Sequence, residues 1–471
     1  MMEETKKAGE LTLGSRLSTN DNALNFVRLV LATLVIFGHA FPLGDFEPVV
    51  IGPFALGAWH GTAVECFFVA SGYLILASGM RMRAKPFLWR RFLRIYPGYF
   101  AALLATAFIF SPLGKLFGAE WKLSEALYFF FKSLTLKSGD LPVNADVPFT
   151  ATWNGSLWTL FYEALAYVGV CLFTMVPWIR NHLKLSVIAI ATLMVLIYLF
   201  LPSSAYTLFP GSLEVILANG VRLWTFFAIG MLFYVFADKI PANLPLAAVS
   251  CLVALSLVST SHNIWGSIII FVVMPYAVLG LGATLPTRIG SRNDISYGIY
   301  VYAFPVQQLL VLAGITQYGW FFTALSCFAL TVPLAFLSWH LIEKPAMRFK
   351  RLVPTRVESY TQKSHKLLGD ASAAHLNVQA HPNYQFRPAG NRLEKHAVIP
   401  GVPNGKAKTV ASSYRTPAGA ELTNELVTEL RKDYPTLSRE VNGHPLAYLD
   451  TGATLRYIPV TDQGLIDYEA K

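Results

Sequence analysis

The chain has 471 residues, of which 54% are hydrophobic and only 14% charged, with a formal net charge of +10. A soluble domain carries about 25% charged residues, so a wholly soluble protein is excluded. The positive balance does not point to nucleic acid, because Lys and Arg cluster in short connections between apolar runs and no basic, aromatic surface module accompanies them.

Residues 1–23 are polar and read as a cytoplasmic segment. The first apolar run is therefore a retained span rather than a cleaved signal. A span needs roughly 20 mainly apolar residues, and ten segments qualify: about 24–43, 62–79, 95–112, 157–177, 185–202, 220–237, 244–260, 264–282, 296–315 and 320–341. Ser124 to Leu136 is amphipathic, rich in Phe and short, and is predicted to lie at the interface. Composition turns polar after 350. The predicted fold is an all-α polytopic membrane protein of about ten transmembrane helices over 24–350, with a small cytoplasmic tail over 351–471. Within the tail, 355–420 is predicted to be loop-like, 418–434 helical and 445–460 a strand pair. His365, His375, His381, His396 and His444 fit no metal motif. Cys66, Cys171, Cys251 and Cys327 form no CxxC, so neither a zinc site nor a disulfide framework is expected.

Loop charge predicts sidedness. The connection after the second span carries Arg81, Arg83, Lys85, Arg90, Arg91 and Arg94, whereas the one before it offers only Asp45, Glu47 and Glu65. Arg180 and Lys184, Lys239, Arg288 and Arg292, and Lys344, Arg348, Lys350 and Arg351 repeat the alternation. Both termini are expected in the cytoplasm, and the largest outer loop at about 113–156.

An ionisable group within a span is costly and marks a candidate site. Arg28 and His39 stand eleven residues apart on the first span, about 16 Å and nearly three whole turns, which puts them on one face. Histidine is the side chain best suited to moving protons near neutral pH; otherwise His39 is a packed residue hydrogen-bonded in the bundle. Glu65 lies at the outer end of the second span, where it is expected to be solvated. Ser71-Gly72-Tyr73 follows, with small residues that allow close approach of a helix or ligand. Arg91 and Arg94 share a helix face at i and i+3, and their forks suit phosphate oxygens. An orientation signal or contact with acidic headgroups would use the same residues. The fourth span opens Trp158-Thr159-Leu160-Phe161-Tyr162-Glu163. Glu163 either orients His39 or takes a proton, or it forms a structural ion pair, for example with Arg222.

Together these segments resemble the membrane-bound acyltransferase-3 family. Arg28 and His39 match its arginine and histidine separated by ten residues. Phe67 to Tyr73 matches its Phe-rich segment ending in Ser-Gly-Tyr, and Arg91, Arg94 and Pro97 its Arg-x-x-Arg followed by Pro. Trp158 to Glu163 matches its Trp-Thr-Leu-x-x-Glu, Ser296 to Tyr300 its Ser-Tyr-x-x-Tyr, and Glu343-Lys344-Pro345 its closing Glu-Lys-Pro. The resemblance covers about 20–350. Ala303 stands where many relatives carry histidine, which argues against a mechanism using two histidines, and Glu65 stands where aspartate is common. Some relatives carry an SGNH hydrolase-like domain, but Gly369-Asp370-Ala371 in the tail lacks its serine, so the tail is not read as one.

The resemblance implies an enzyme of a bacterial inner membrane with acyl-CoA, most often acetyl-CoA, as co-substrate and no metal. The acceptor would be a hydroxyl on a cell-surface or lipid-linked carbohydrate. Catalytic roles fall to His39, Glu163 and Arg28; donor contacts to Arg90, Arg91, Arg94, Ser71 and Tyr73; acceptor contacts to Trp158, Tyr162, Tyr297 and Tyr300. His39 would act as general base with Glu163 orienting it, or form a transient acyl-histidine. Membrane lipids are further expected partners. The rivals are a transporter or flippase using an Arg/His/Glu relay, weakened by the lack of a visible inverted repeat, and a membrane scaffold whose tail does the work.

Overall fold

A computed structural model of the chain describes residues 11–354, apart from 20, 138–140, 144, 150–151, 210–211 and 261–263, and strand segments between 440 and 465. The chain divides into two compact units, Met1–Arg356 and Val357–Lys471.

The first unit is a helical membrane body. Its main helices are α1 (Leu24–Leu43), α2 (Trp59–Arg81), α3 (Ala84–Ala105), α4 (Leu123–Ser133), α5 (Trp158–Met175), α6 (Leu183–Phe200), α7 (Ser212–Val235), α8 (Leu244–Thr260), α9 (Ile264–Thr284), α10 (Ser296–Leu312) and α11 (Trp320–Ser338). Among the described residues, eight helical runs are long and apolar enough to cross a membrane; those of α3 and α11 continue to Phe117 and Leu352. The other two predicted spans, α8 and α10, are helices of 17 residues, the short end of the range of roughly 17–25 for a span. A hairpin of β1 (Val50–Ile51) and β2 (Phe54–Ala55) interrupts the connection from α1 to α2. At 11 residues α4 is too short to cross. It is held by Tyr99, whose hydroxyl donates to the Ser133 carbonyl at 2.6 Å, and by Tyr96, which donates to that of Leu134 at 3.2 Å.

Two features of this body position the site. First, α10 is buried at every residue from Ser296 to Gln308, as expected of a helix apolar on all sides, and it packs against α1, α3 and α11. Its tyrosines therefore face the interior. Second, α2 and α7 approach backbone to backbone: a Cβ at Gly72 would strike the Phe227 carbonyl, and one at Gly230 the Val69 carbonyl. Overpacking of this kind costs about 1–3 kcal/mol. Gly72→Ala is accordingly expected to lower the melting temperature of purified protein, whereas Gly169→Ala, whose methyl would meet nothing within 4 Å, is not. Equal melting of the two variants would refute the close contact.

Both extended runs contain a π-helical turn, Thr106–Phe110 after α3 and Trp339–Glu343 after α11. Such turns widen the helix and often occur at functional sites. In the first, the Ala107 carbonyl accepts from the Trp121 indole at 3.1 Å and the Ser111 hydroxyl at 2.9 Å.

The second unit is described only as an antiparallel meander of β3 (Glu440–Val441), β4 (His444–Asp450), β5 (Leu455–Thr461) and β6 (Gly464–Leu465). The predicted strand pair is β4 against β5, with Tyr448 opposite Tyr457. The predicted loop at 355–420, the helix at 418–434, Gly369-Asp370-Ala371 and the four histidines 365, 375, 381 and 396 lie outside the described residues.

Candidate active site

A cavity of about 110 Å³ is enclosed by α1, α2, α3, α5 and α10. Since one water needs roughly 10–15 Å³, the space is narrow. Of the predicted residues, Arg28, Ser71, Arg91, Arg94, Glu163, Tyr297 and Tyr300 line it, joined by Thr159, Tyr167 and Ser296.

One end of the cavity is ionic. Arg28 and Arg94 both reach Oδ2 of Asp294, at 2.8 and 2.5 Å, and the Ser296 hydroxyl donates to Oδ1 at 2.6 Å. Asp294 lies in the connection before α10. Burial by itself would raise its carboxyl, but the two guanidiniums and Ser296 outweigh burial and hold it below the ordinary carboxylate range. Two cations thus share one carboxylate. Glu343, 3% exposed in the second π-turn, accepts from Ser338 at 3.0 Å and interacts electrostatically with Arg94. Arg91 differs from its neighbours. Its guanidinium donates to the Ser78 hydroxyl at 3.1 Å and lies 5.8 and 5.9 Å from the Phe87 and Tyr167 rings. No carboxylate stands within 4.0 Å of it among the described residues.

The middle of the cavity is a polar ladder on α5. Thr159, Glu163 and Tyr167 recur every four residues and so share one face. The Glu163 carboxylate accepts from the Tyr167 hydroxyl and from Ser71 at 3.3 Å. Thr159 donates to the Ser156 carbonyl at 3.3 Å, so its 2.6 Å contact with Tyr300 has the tyrosine as donor.

His39 lies beyond the cavity wall. Its Nδ1 is 2.9 Å from the Val35 carbonyl. A carbonyl can only accept, so in the neutral ring Nδ1 carries the hydrogen and Nε2 is the basic nitrogen. The ring lies 4.7 Å from that of His60 and 5.4 Å from Phe304, which meets it edge-on. His60 is in the same tautomer, with Nδ1 2.8 Å from the Gly57 carbonyl. Among the described residues neither Nε2 has a hydrogen-bond partner. Val64 and Tyr300 line the cavity, and each is four residues, about 6 Å, from His60 and Phe304 respectively. One helical turn thus separates cavity and histidine pair.

This geometry corrects several expectations. Glu163 does not orient His39, since its carboxylate is directed at Ser71 and Tyr167. Nor does it pair with Arg222, which instead stands 3.8 Å from Glu65. Glu65 is not solvated: its side chain is 14% exposed. Tyr73, two residues and therefore about 200° from Ser71, turns away to pack on Tyr234. Arg90, one residue from Arg91, is likewise outside the lining. Trp158 and Tyr162 meet edge to face with ring centres 5.4 Å apart, and Trp224 donates to the Tyr162 carbonyl at 3.1 Å; they lie on the face of α5 next to the polar ladder. Asp294, Tyr167 and His60 were not anticipated. The four-residue spacing in α5 would have shown Tyr167. Asp294 stands out as an acid in a basic loop beside Ser296, and His60 follows from antiparallel helices whose short connection places the start of α2 beside the end of α1. No group of three or more His, Cys, Asp or Glu able to hold a metal occurs among the described residues.

The body thus holds a buried cavity of Arg, Glu and Tyr, with a histidine pair one turn away. Residues 21–340 match the acyltransferase-3 family, described as an acyltransferase domain. The chain belongs to that family and is a membrane acyltransferase. It is 29% identical over 337 residues to the O-acetyl transferase of Shigella phage Sf6, covering 69% of this chain and 95% of that protein. It is 26% identical over 375 residues to Nodulation protein 10 of Rhizobium leguminosarum bv. viciae, covering 72% and 96%. No solved structure matches.

Proposed function

We propose that the protein transfers an acetyl group from acetyl-CoA to a hydroxyl of a cell-surface or lipid-linked carbohydrate. The observation that carries this reading is the pairing of a fixed basic nitrogen, Nε2 of His39, with a cavity whose Arg91 makes no ion pair within 4.0 Å among the described residues. Similarity to a protein named as an O-acetyl transferase supports acetyl as the group moved. The donor supplies the activated acyl carbonyl.

The chain's residues then have distinct tasks. Arg91, free of a close ion pair among the described residues, offers its guanidinium to a donor phosphate. Arg28 and Arg94, fixed by Asp294, keep that end of the cavity cationic. His39 Nε2 takes the proton of the acceptor hydroxyl as its oxygen attacks the acyl carbon, and returns it to the departing thiolate. Glu163, Tyr167 and Ser71 form a fixed polar wall between. Following the loop charges, the Asp294 end faces the cytoplasm of the bacterial inner membrane and the histidine end faces outward.

Purified full-length protein is expected to consume acetyl-CoA in the presence of a surface glycan and to leave an acetyl ester on it, read by mass spectrometry. Arg91→Gln is expected to raise KM for the donor about tenfold or more, since a hydrogen bond to a charged group contributes about 1.5–3 kcal/mol, and to change kcat less. A protein that bound glycan yet consumed no donor would instead be a transporter.

A further inference from the structure

A second cavity, of about 730 Å³, lies between the ends of α2 and α7, the connection from α5 to α6 and the helical turn Leu13–Leu17. None of the groups given a part in acyl transfer lines it. Tyr73 and Tyr234 form part of its wall, their rings 5.5 Å apart and nearly perpendicular. Arg81, Arg180 and Lys184 border it, against a single carboxyl, Asp238. None of the three cations has a carboxylate within 4.0 Å among the described residues. Arg81 donates from Nε to the Ala77 carbonyl at 3.0 Å, and Arg180 from Nη2 to that of Met80 at 2.6 Å. Each bond uses one of the five N–H groups of a guanidinium, so both heads are held in place with donors to spare.

An apolar border adjoins this basic rim. Met175, Trp178 and Leu185 are 60%, 56% and 57% exposed, at the end of α5 and the start of α6. Trp178 stacks on His182, which also lines the cavity. An indole at the end of a span, flanked by exposed aliphatic side chains, belongs at the membrane–water boundary. A soluble anion would engage the cations and leave the apolar strip bare. An amphiphile satisfies both, and a basic cavity between spans is suited to an anionic headgroup.

We propose that this cavity binds the headgroup of an acidic phospholipid. Arg81, Arg180 and Lys184 hold its phosphate, and its acyl chains run along Met175, Trp178 and Leu185. The site shares only Leu74 with the lining of the acyl-transfer cavity and does not depend on the reaction assigned there.

The test uses full-length protein in nanodiscs of phosphatidylcholine with or without phosphatidylglycerol. Melting temperature and lipid retained in native mass spectrometry are the readouts. Phosphatidylglycerol is expected to raise the melting temperature of wild type and to be retained. Lys184→Gln removes a side chain that has no hydrogen bond or ion pair among the described residues, so folding should persist. It is expected to weaken retention about fivefold, the effect of one basic residue near an anionic surface, and Lys184→Arg to restore it. Retention unchanged in both Lys184→Gln and Arg180→Gln, or no stabilisation of wild type, overturns the proposal. Equal stabilisation by inorganic phosphate or glycerol phosphate in phosphatidylcholine discs overturns the lipid assignment and leaves a simple anion site.

Discussion

His39→Gln is expected to reduce acyl transfer at least a hundredfold while the protein folds and still binds donor. General acid–base catalysis by a positioned side chain contributes about 10²–10⁴-fold, and glutamine keeps much of the volume of the ring without its basic nitrogen. His60→Gln is expected to have a smaller effect, because the Val35 carbonyl already fixes the His39 tautomer and His60 only flanks it. Full activity in purified His39→Gln would sink the assignment. Mass spectrometry of rapidly quenched wild type separates the two chemical routes: an acyl adduct on His39 indicates covalent catalysis, and its absence throughout turnover favours the general base.

Asp294→Ala is expected to be the most destabilising single change near the site. It leaves Arg28 and Arg94, with side chains 22% and 16% exposed, without the carboxylate they share, and only the longer-range field of Glu343 still acts on Arg94. Stranding a buried partner in this way costs about 3–5 kcal/mol. Asp294→Asn keeps the shape and the acceptor for Ser296 but not the charge, and is expected to recover only part of the loss. Adding Arg28→Gln to Asp294→Ala removes one of the stranded charges and should recover stability, a non-additive result that a double-mutant cycle measures. The pH dependence follows from the sign of the shift. A carboxyl held low in the folded state contributes stability that is present above its unfolded value, about 3.9, and is lost as pH falls toward the folded value. The difference in melting temperature between wild type and Asp294→Ala should therefore stay constant between about pH 6 and pH 8, where the carboxylate is ionised in both states. A difference that closes over that window would show that Asp294 is not the ion-pair partner.

The membrane body was legible in the sequence because hydrophobic length is a property of each segment alone. All ten predicted spans are helices, and α4 is the short amphipathic helix expected between α3 and α5. Motif residues on facing helices were legible in kind: Arg28, Arg91, Arg94, Glu163, Tyr297 and Tyr300 do meet around one cavity. Partnerships were not, because they depend on helix rotation and depth that no single segment encodes. Glu163 is expected from its motif to orient His39, yet its own helix presents Tyr167 one turn away and α2 presents Ser71. Arg94 was read as open to a ligand, and its carboxylate partner lies 200 residues further on. The histidine absent at Ala303 suggested that His39 acts alone, but a second imidazole arrives from α2, outside the motifs.

The π-turn at Trp339–Glu343 also bears on chain length as a variable. In a regular helix, residues five apart point in different directions; in a π-turn they align, and Ser338 meets Glu343 across such a gap. The turn amounts to one residue more than an α-helix would use. Inserting one further residue between Ser338 and Glu343 would exceed what the widened turn absorbs and swing Glu343 by about 100°, away from Ser338 and Arg94, with every original side chain chemically intact. At this point the number of residues, and not only their kind, is part of what the gene must preserve.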